Sequence, residues 1–361
     1  MTLTLEALDY SRPIRPLFAQ AARTGFVHSI FPKALNIVVD ETLFVLLSAG
    51  VSRMPNSARL PACIMEQLYA KLRPGVEVCV GNGKLSIPML DLSVHLPDKA
   101  AWEPVPVIAA HSWHGATVVR HADVIARHLA QRAREDGLAH LVKPLLLQQA
   151  TWETPLAKIA LPLLRSLLRA SREQDVVGVE QAARGLAGLG PGLTPSGDDT
   201  LGGFIGVMAL LSFQAGPDDI KSKDLVGRQG ATDGWGRTPT RGVPTCGITR
   251  PPSTKSDRPL ARIIADAARP CTTLLSATLL AHAARGAVAE HVGELLMALP
   301  GEESATVLRA AERVLAYGAC SGGDTLLGLL LGLQAAGIDY PTDDTGENYG
   351  YTSAAQAEYV L

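Results

Sequence analysis

Short apolar runs with a two-residue alternation fill the first hundred residues of the chain. Stretches such as GFVHSIF, ALNIVVD and LFVLLSA are rich in β-branched and aromatic residues, which is typical of strands. The stretch VEVCVGNGKLSIPML contains two such runs that meet at Asn82-Gly83, a pair suited to the positive φ angles of a tight turn. We therefore predict a strand-rich N-terminal domain over residues 1–110, with a hairpin at this pair.

A helical period replaces the alternation from about residue 117 onward. One apolar stripe at helical spacing is formed by Val118, Ala122, Ile125 and Leu129. The same periodicity returns beyond residue 258, so we predict one helical domain built from residues 111–213 and 259–338. The predicted fold class is α+β, a strand-rich part followed by a mainly helical domain with two Gly-rich buried helices.

The stretch TPLAKIALPLLRSLLRASRE predicts another helix with a defined start. Thr154 is placed to cap it, and Pro155 suits the first helical position because the missing N–H of proline is not needed there. Pro162 lies inside the stretch, and proline removes a backbone hydrogen bond. We expect it to kink or divide the helix.

Two segments show neither period. Residues 214–258 are rich in Gly, Pro, Thr and basic residues, and they lack the apolar surface that would offset the entropy of ordering. We interpret them as a flexible insertion between two helices. Residues 339–361 form an acidic tail that we also expect to be loose.

Composition excludes several classes of protein. The 361 residues are 47% hydrophobic and 19% charged, as in globular proteins. A net charge of −2 and 5% aromatic residues argue against binding to nucleic acid. No apolar run approaches the ~20 residues that span a bilayer, so no membrane segment is expected.

Cysteine usage and the N-terminus bear on the compartment. The five cysteines are scattered and form no CxxC pair, which favours a reducing environment over disulfides or structural zinc. The N-terminal MTLTLEALDYSRPIRPL has early acids and no continuous apolar stretch, so it does not resemble a signal peptide. A cytoplasmic location is predicted.

Two related motifs concentrate the candidate chemistry. GLGPGLTPSGDDTLGG (188–203) and SGGDTLLGLLLGL (321–333) share the pattern Ser-Gly-x-Asp-Thr-Leu-x-Gly ahead of an apolar, Gly-spaced segment. Ser196 with Asp199, and Ser321 with Asp324, fit the capping-box spacing, so helix capping explains part of the pattern. We predict two equivalent helix starts that lie close together and face one cavity.

Capping does not require the long glycine approach to the first motif. Gly-rich backbone before a helix can present several N–H groups to a phosphate or carboxylate. The residues predicted to bind phosphate or substrate are Gly190, Gly192, Thr194, Ser196, Gly197, Ser321, Gly322 and Arg285. Asp198, Asp199 and Asp324 are the candidate catalytic residues, because carboxylates beside such a nest can hold a cation, polarise an N–H or take a proton.

A metal ion is not required by these patterns. Mg²⁺ is the candidate if the carboxylates hold a cation, and no protein metal ligand set is assigned. His111 and His114 in AAHSWHGA have no third ligand at a sensible spacing, so loop residues are the better interpretation.

Three stretches of the chain together are similar to a known family. They are GLGPGLTPSGDD with the helix after it, SGGDTLLGLLLGL, and the N-terminal GFVHSIFPKALNIVVDETLFVLL. They resemble the AllH-like family, long catalogued as a domain of unknown function, which includes a subunit of the three-subunit oxamate carbamoyltransferase of allantoin breakdown. The resemblance covers residues 20–335 apart from the insertion.

This resemblance implies a reaction, substrates and partners. The family's enzyme exchanges oxamate and carbamoyl phosphate with oxalurate and phosphate, in the catabolic sense starting from oxalurate. Two other subunits would act beside this chain. A nest of backbone N–H groups suits the phosphate of such substrates, although neither motif contains an Arg or Lys.

Three functions therefore stay open at the level of sequence. The chain is a carbamoyltransferase subunit with an anion site between the two helix starts, or a non-catalytic scaffold subunit in which the motifs only cap and pack helices. The third alternative is a metal-dependent hydrolase that uses Asp198, Asp199 and Asp324.

Overall fold

An N-terminal sheet followed by helices makes up the described part of the chain, which confirms the α+β prediction. The structure is a computed structural model that describes residues 3–109, 112–113, 115–214 and 258–338. The last strand ends at Trp102 and the first long helix of the helical part begins at Ala116.

The sheet has ten strands in the order β1-β9-β8-β7-β3-β4-β5-β6-β2-β10. Their bounds are β1 Leu3–Glu6, β2 Asp9–Ser11, β3 Arg23–Phe31, β4 Ala34–Val39, β5 Thr42–Ser48, β6 Ser57–Leu60, β7 Glu77–Gly81, β8 Lys84–Ile87, β9 Leu92–His95 and β10 Ala101–Trp102. Most neighbours are antiparallel, and three pairs (β1 with β9, β5 with β6, β2 with β10) are parallel. Strands β7 and β8 form the predicted hairpin, with φ of 51° at Asn82 and 79° at Gly83.

The central strands are buried on both faces. On one face, Val27, Leu35 and Ile37 belong to the core of the N-terminal part. On the other, Val45 and Leu47 pack with Leu275 from the helical part. The almost continuous apolar sequence of β4 and β5 follows from this two-sided burial, because a strand exposed on one face would alternate. The second face forms one wall of the cavity described below.

Twelve helices are found in the described residues, and two of them, α1 and α2, accompany the sheet. Their bounds are α1 Arg15–Ala19, α2 Ala62–Lys71, α3 Ala116–Arg132, α4 Val142–Leu146, α5 Pro155–Glu173, α6 Val176–Leu186, α7 Ser196–Gln214, α8 Leu260–Ala268, α9 Leu274–Ala283, α10 Glu290–Ala298, α11 Ser304–Leu315 and α12 Ser321–Ala335. The predicted apolar stripe of α3 is fully buried.

Helix α5 begins as predicted but is not divided. The side chain of Thr154 accepts a hydrogen bond from the Ala157 N–H at 3.1 Å, and Pro155 is the first helical residue. Pro162 lies inside one continuous helix. Its ring and the carbonyl of Lys158 lie on the exposed side, where water can satisfy the carbonyl that loses its N–H partner.

Helices α7 and α12 form the centre of the helical part. Thr200 and Phe204 of α7 meet Gly328 and Gly332 of α12, so contacts advance together along both helices and the two run in the same direction. A Cβ on Gly328 would lie only 3.0 Å from the Phe204 nitrogen. This close approach brings the two helix starts side by side, and it explains why both helices are Gly-rich and buried.

Some predictions concern residues that the structure does not describe. The insertion 214–258, apart from its first and last residues, and the tail 339–361 lie outside the described residues, as do His111 and His114. Among the described helices, none has the length and apolar character needed to cross a membrane. The cytoplasmic location stays a prediction.

Candidate functional site

The starts of α7 and α12 adjoin, as the shared motif predicts. The Thr194 Oγ1 lies 3.5 Å from the Ser321 Oγ, and the Ser196 Oγ lies 3.7 Å from the Cys320 Sγ. The hydroxyls of the two motifs therefore face each other across the helix pair. Asp199 and Asp324 extend from the first turns of these two helices.

A cavity of about 280 Å³ opens beside the paired helix starts. It is bounded by the second face of the sheet and by α7, α9, α10 and α12. Its walls are mostly aliphatic, and its polar side chains include Asn36, Thr194, Asp199, His291, Tyr317 and Ser321. Among the described residues, no Lys or Arg side chain lines it.

Asp199 is the carboxyl group most strongly perturbed by its surroundings. Burial raises its pKa to about 8, and the negative charges of Asp324 and Asp198 act in the same direction. The hydroxyls of Ser321 and Thr194 oppose the rise, but the buried Oδ2 has no hydrogen-bond partner. Asp199 is therefore mainly protonated at pH 7 and can act as a proton donor at the cavity wall.

Asp324 ties α12 to the loop after α3. It is fully buried, and its Oδ1 accepts hydrogen bonds from the N–H groups of Leu138 and Ala139 at 2.6 and 2.9 Å. A Cβ on Gly137 would lie 2.7 Å from this oxygen, so a glycine is required where the loop meets the carboxyl group. Burial raises the Asp324 pKa to about 6, while these N–H groups and the Ser196 hydroxyl oppose the rise.

The capping-box interpretation of the two motifs is wrong for α12. Its N-cap is Cys320, which makes no side-chain capping bond, and Ser321 is already the first helical residue. Asp324 bonds to a distant loop instead of its own helix start. The pattern resembles a capping box because both need a carboxyl group in the first turn, and sequence spacing cannot show which backbone N–H groups lie opposite.

Asp198 holds the glycine loop in place. Its Oδ1 accepts the Gly188 N–H at 2.9 Å, and its Oδ2 accepts the Thr272 hydroxyl from the turn before α9. The residue is 3% exposed. Both oxygens are thus used within the protein, so the structure favours a positioning role for Asp198 over the predicted catalytic one.

Loss of this clamp should cost stability. We expect Asp198→Ala to lower the free energy of unfolding by about 1–3 kcal/mol, because it removes a buried carboxylate that accepts both the Gly188 N–H and the Thr272 hydroxyl. Asp198→Asn should lose less stability, since the amide oxygen of asparagine can still accept a hydrogen bond from the Gly188 N–H. Urea unfolding of the two variants measures the difference, and an unchanged midpoint for Asp198→Ala would contradict the clamp.

The glycine loop has the backbone conformation expected for a nest, but some of its N–H groups are already bonded. Gly190 and Gly192 have φ of 116° and 100°, which favour glycine. The Gly197 N–H donates to the Leu189 carbonyl, and the Gly322 N–H donates to the Tyr317 carbonyl, each at 2.9 Å. These two groups stabilise the helix starts rather than facing the cavity.

Two family models match the chain on either side of α3–α6. The AllH family N-terminal domain matches residues 6–101, and the model described as oxamate carbamoyltransferase subunit AllH matches residues 186–240 and 243–333. Together they cover most of the chain. The chain belongs to the AllH family. No curated protein and no solved structure matches it.

The matched regions of this AllH family member coincide with the cavity walls. The first covers the sheet, and the second covers the glycine loop and the helices from α7 to α12 that surround the cavity. Arg285, predicted to bind substrate, is exposed beyond the end of α9 and does not line the cavity. No cation on the described residues therefore replaces the Arg or Lys that both motifs lack.

His291 and Tyr317 are cavity residues that the sequence did not indicate. His291 is a single histidine in an ordinary helical stretch, and no neighbouring motif marks it. Tyr317 lies three residues before Cys320, so nearness to the second motif is a weak signal that could have identified it. The metal alternative gains no support, because the His, Cys, Asp and Glu side chains of the described residues form no group of three or more that could hold a metal ion.

Proposed function

We propose that this AllH family chain is a subunit of a carbamoyltransferase that acts on oxalurate and phosphate to give oxamate and carbamoyl phosphate. The observation that carries the proposal is Asp199, a protonated carboxyl group on the cavity wall where the two family motifs meet. The match to the carbamoyltransferase subunit model supports the reaction class.

The chemistry of this reaction needs a proton at one defined atom. A phosphate oxygen attacks the carbamoyl carbon of oxalurate, and the bond from that carbon to the oxamate nitrogen breaks. The leaving nitrogen must take up a proton, which Asp199 donates as its carboxyl group becomes a carboxylate. The acid proton of hydrogenphosphate, released as the carbamoyl phosphate dianion forms, restores the proton of Asp199. In the reverse direction the carboxylate accepts the same proton from oxamate.

The absence of a cation from the described cavity lining supports a site shared with other subunits. Phosphate and oxalurate are anions, and the negative charge of a bound phosphate is ordinarily balanced by Arg, Lys or a metal ion. The Asp324 carboxyl group has a pKa of about 6 and is mainly ionised at pH 7, so it makes the local field less favourable for an anion. We propose that the two other subunits supply this positive charge, while the present chain supplies the proton donor and hydroxyl groups.

An assay of the assembled complex tests the proposal. The three subunits are co-expressed with and without this chain, and carbamoyl phosphate formed from oxalurate and phosphate is measured. We expect activity to require the chain. Full activity of the other two subunits alone would contradict a role in the reaction.

A scaffold role is the second candidate, and one observation favours it. Asp198 accepts a hydrogen bond from the Gly188 N–H, and Asp324 accepts hydrogen bonds from the N–H groups of Leu138 and Ala139. Two of the three carboxyl groups therefore stabilise the fold. A scaffold subunit would also be required for assembly. Substitution of Asp199, which has no such bonds at Oδ2, separates the two roles.

A further inference from the structure

His291 lies on the cavity wall in a fixed orientation. It belongs to the first turn of α10 and is 7% exposed. Its Nδ1 lies 2.8 Å from the Ser52 Oγ, and its ring stacks on Tyr317 with centroids 4.7 Å apart and an interplanar angle of 22°. Two independent contacts, one polar and one aromatic, thus restrain the ring.

The ring is neutral at physiological pH. Burial lowers the pKa of His291 to about 4, and the neighbouring Glu290 opposes this only in part. The Glu290 carboxylate is held by Arg53 through the backbone N–H at 3.1 Å and Nε at 2.9 Å. It is therefore already paired with a cation, and its effect on the imidazole is smaller than that of burial.

The contact with Ser52 couples the direction of the hydroxyl to the tautomer of the imidazole, since one of the two groups donates and the other accepts. If the hydroxyl donates to Nδ1, the proton lies on Nε2, since a neutral imidazole has one N–H and one acceptor. Among the described residues, no hydrogen bond to Nε2 occurs, while the side chain lines the cavity. A neutral N–H donor on a mostly aliphatic cavity wall is suited to polarise a carbonyl oxygen.

We propose that His291 Nε2–H donates a hydrogen bond to the carbamoyl oxygen of the substrate and that Ser52 positions it. This inference rests on the proposed function and assigns a second residue in the same cavity. As phosphate adds to the carbamoyl carbon, the carbonyl oxygen gains negative charge, which the N–H stabilises. When the carbon–nitrogen bond breaks, the electron pair on this oxygen re-forms the carbonyl double bond, and the oxamate nitrogen takes the proton of Asp199. His291 keeps its own proton throughout.

Substitutions in the assembled complex test the two roles. We expect His291→Ala to lower kcat about 100- to 1,000-fold, the usual effect of losing one such donor. His291→Gln keeps an N–H donor and should retain more activity. Ser52→Ala should lower kcat by a smaller factor, and Ser52→Thr should restore it. His282→Gln is the matched control, because His282 is also a neutral histidine with a pKa of about 4 but does not line the cavity.

Two spectroscopic measurements do not depend on turnover. ¹⁵N NMR of the chain should show the Nε2–H tautomer of His291, and in Ser52→Ala the Nδ1–H form should appear. The infrared carbonyl band of oxalurate bound to the wild-type complex should lie at lower frequency than in His291→Ala. If the alanine variant fails to fold, the His291→Gln and Ser52→Ala variants carry the same comparisons.

The outcomes separate this inference from the proposed function. An active wild-type complex with an equally active His291→Ala variant would overturn the role of His291 and leave the proposed function standing. An Nδ1–H tautomer in the wild type would also overturn it, whatever the activity. Activity that does not require the chain would instead overturn the proposed function on which the inference depends.

Discussion

Asp199→Asn is expected to reduce carbamoyl transfer by the assembled complex about a hundredfold or more. The asparagine side chain has nearly the same shape but cannot release a proton. Loss of a general acid typically lowers the rate by roughly 10²–10⁴-fold. Initial rates of carbamoyl phosphate formation from oxalurate and phosphate measure the effect. Asp198→Asn is the neighbouring control, and it should keep its activity within a few-fold because its oxygens bond within the protein.

The same substitution should leave the fold intact or stabilise it. The native state holds the Asp199 proton up to about pH 8, whereas the unfolded chain releases it near the ordinary value of 3.8. The native state therefore binds more protons in this window, so the free energy of unfolding falls as pH rises through it. Asparagine has no proton to lose, so the free energy of unfolding of the variant should fall less with rising pH than that of the wild type.

The window above pH 6 isolates Asp199 from Asp324. The Asp324 pKa is raised only to about 6, so its share of the decline lies mainly below that pH. Urea unfolding at pH 6 and pH 8 compares the variant with the wild type. A scaffold role predicts unchanged activity in Asp199→Asn, and that result would replace the proton-donor proposal with the scaffold candidate.

The pH dependence of the rate gives a second view of the same group. Transfer from oxalurate needs the protonated carboxyl group, so the wild-type rate should fall above about pH 8. This fall in the rate above about pH 8 should be absent from the residual activity of Asp199→Asn. Because Asp199 and Asp324 interact, the measured value belongs to the pair of carboxyl groups.

Gly328→Ala is expected to cause a large loss in the free energy of unfolding. A Cβ at this position would overlap the Thr200 carbonyl oxygen and lie 2.7 Å from its carbon. Backbone atoms cannot move aside as the end of a side chain can, so α7 and α12 would have to separate. We expect a loss of about 3 kcal/mol or more, the upper part of the range for overpacked cores. Gly203→Ala should behave similarly, since its Cβ would lie 2.8 Å from the Leu329 nitrogen.

Gly202→Ala is the matched control for this prediction. It is next to Gly203 in α7, but its Cβ would meet only the Leu280 Cδ2 at an ordinary 3.9 Å. The higher helix propensity of alanine should make the variant equal to the wild type or about 0.5–1 kcal/mol more stable. Thermal and urea unfolding of the three variants check the contrast. Equal losses at Gly202 and Gly203 would mean that close helix packing does not require these glycines.

Local patterns were enough to predict several of the elements. The β7–β8 hairpin depends on Asn82-Gly83, and the start of α5 depends on Thr154 and Pro155, so each is decided by neighbours in sequence. The glycines of the two motifs predicted close, buried helices, because glycine is costly in a helix unless another backbone needs the space. The shared motif also predicted that the two helix starts lie together.

The roles within the site depended on contacts between residues far apart in sequence. The sequence pointed to Asp198 as the residue that capping does not require, yet its oxygens bond Gly188 and Thr272, whereas one oxygen of Asp199 has no partner. His291 became a site residue only because the tertiary fold places it between Ser52 and Tyr317. A carboxyl or imidazole group acquires its pKa from burial and from nearby charges, and both are set by tertiary packing. The sequence therefore determined these elements and the pairing of the two motifs, and the tertiary structure decided which group in them carries a proton.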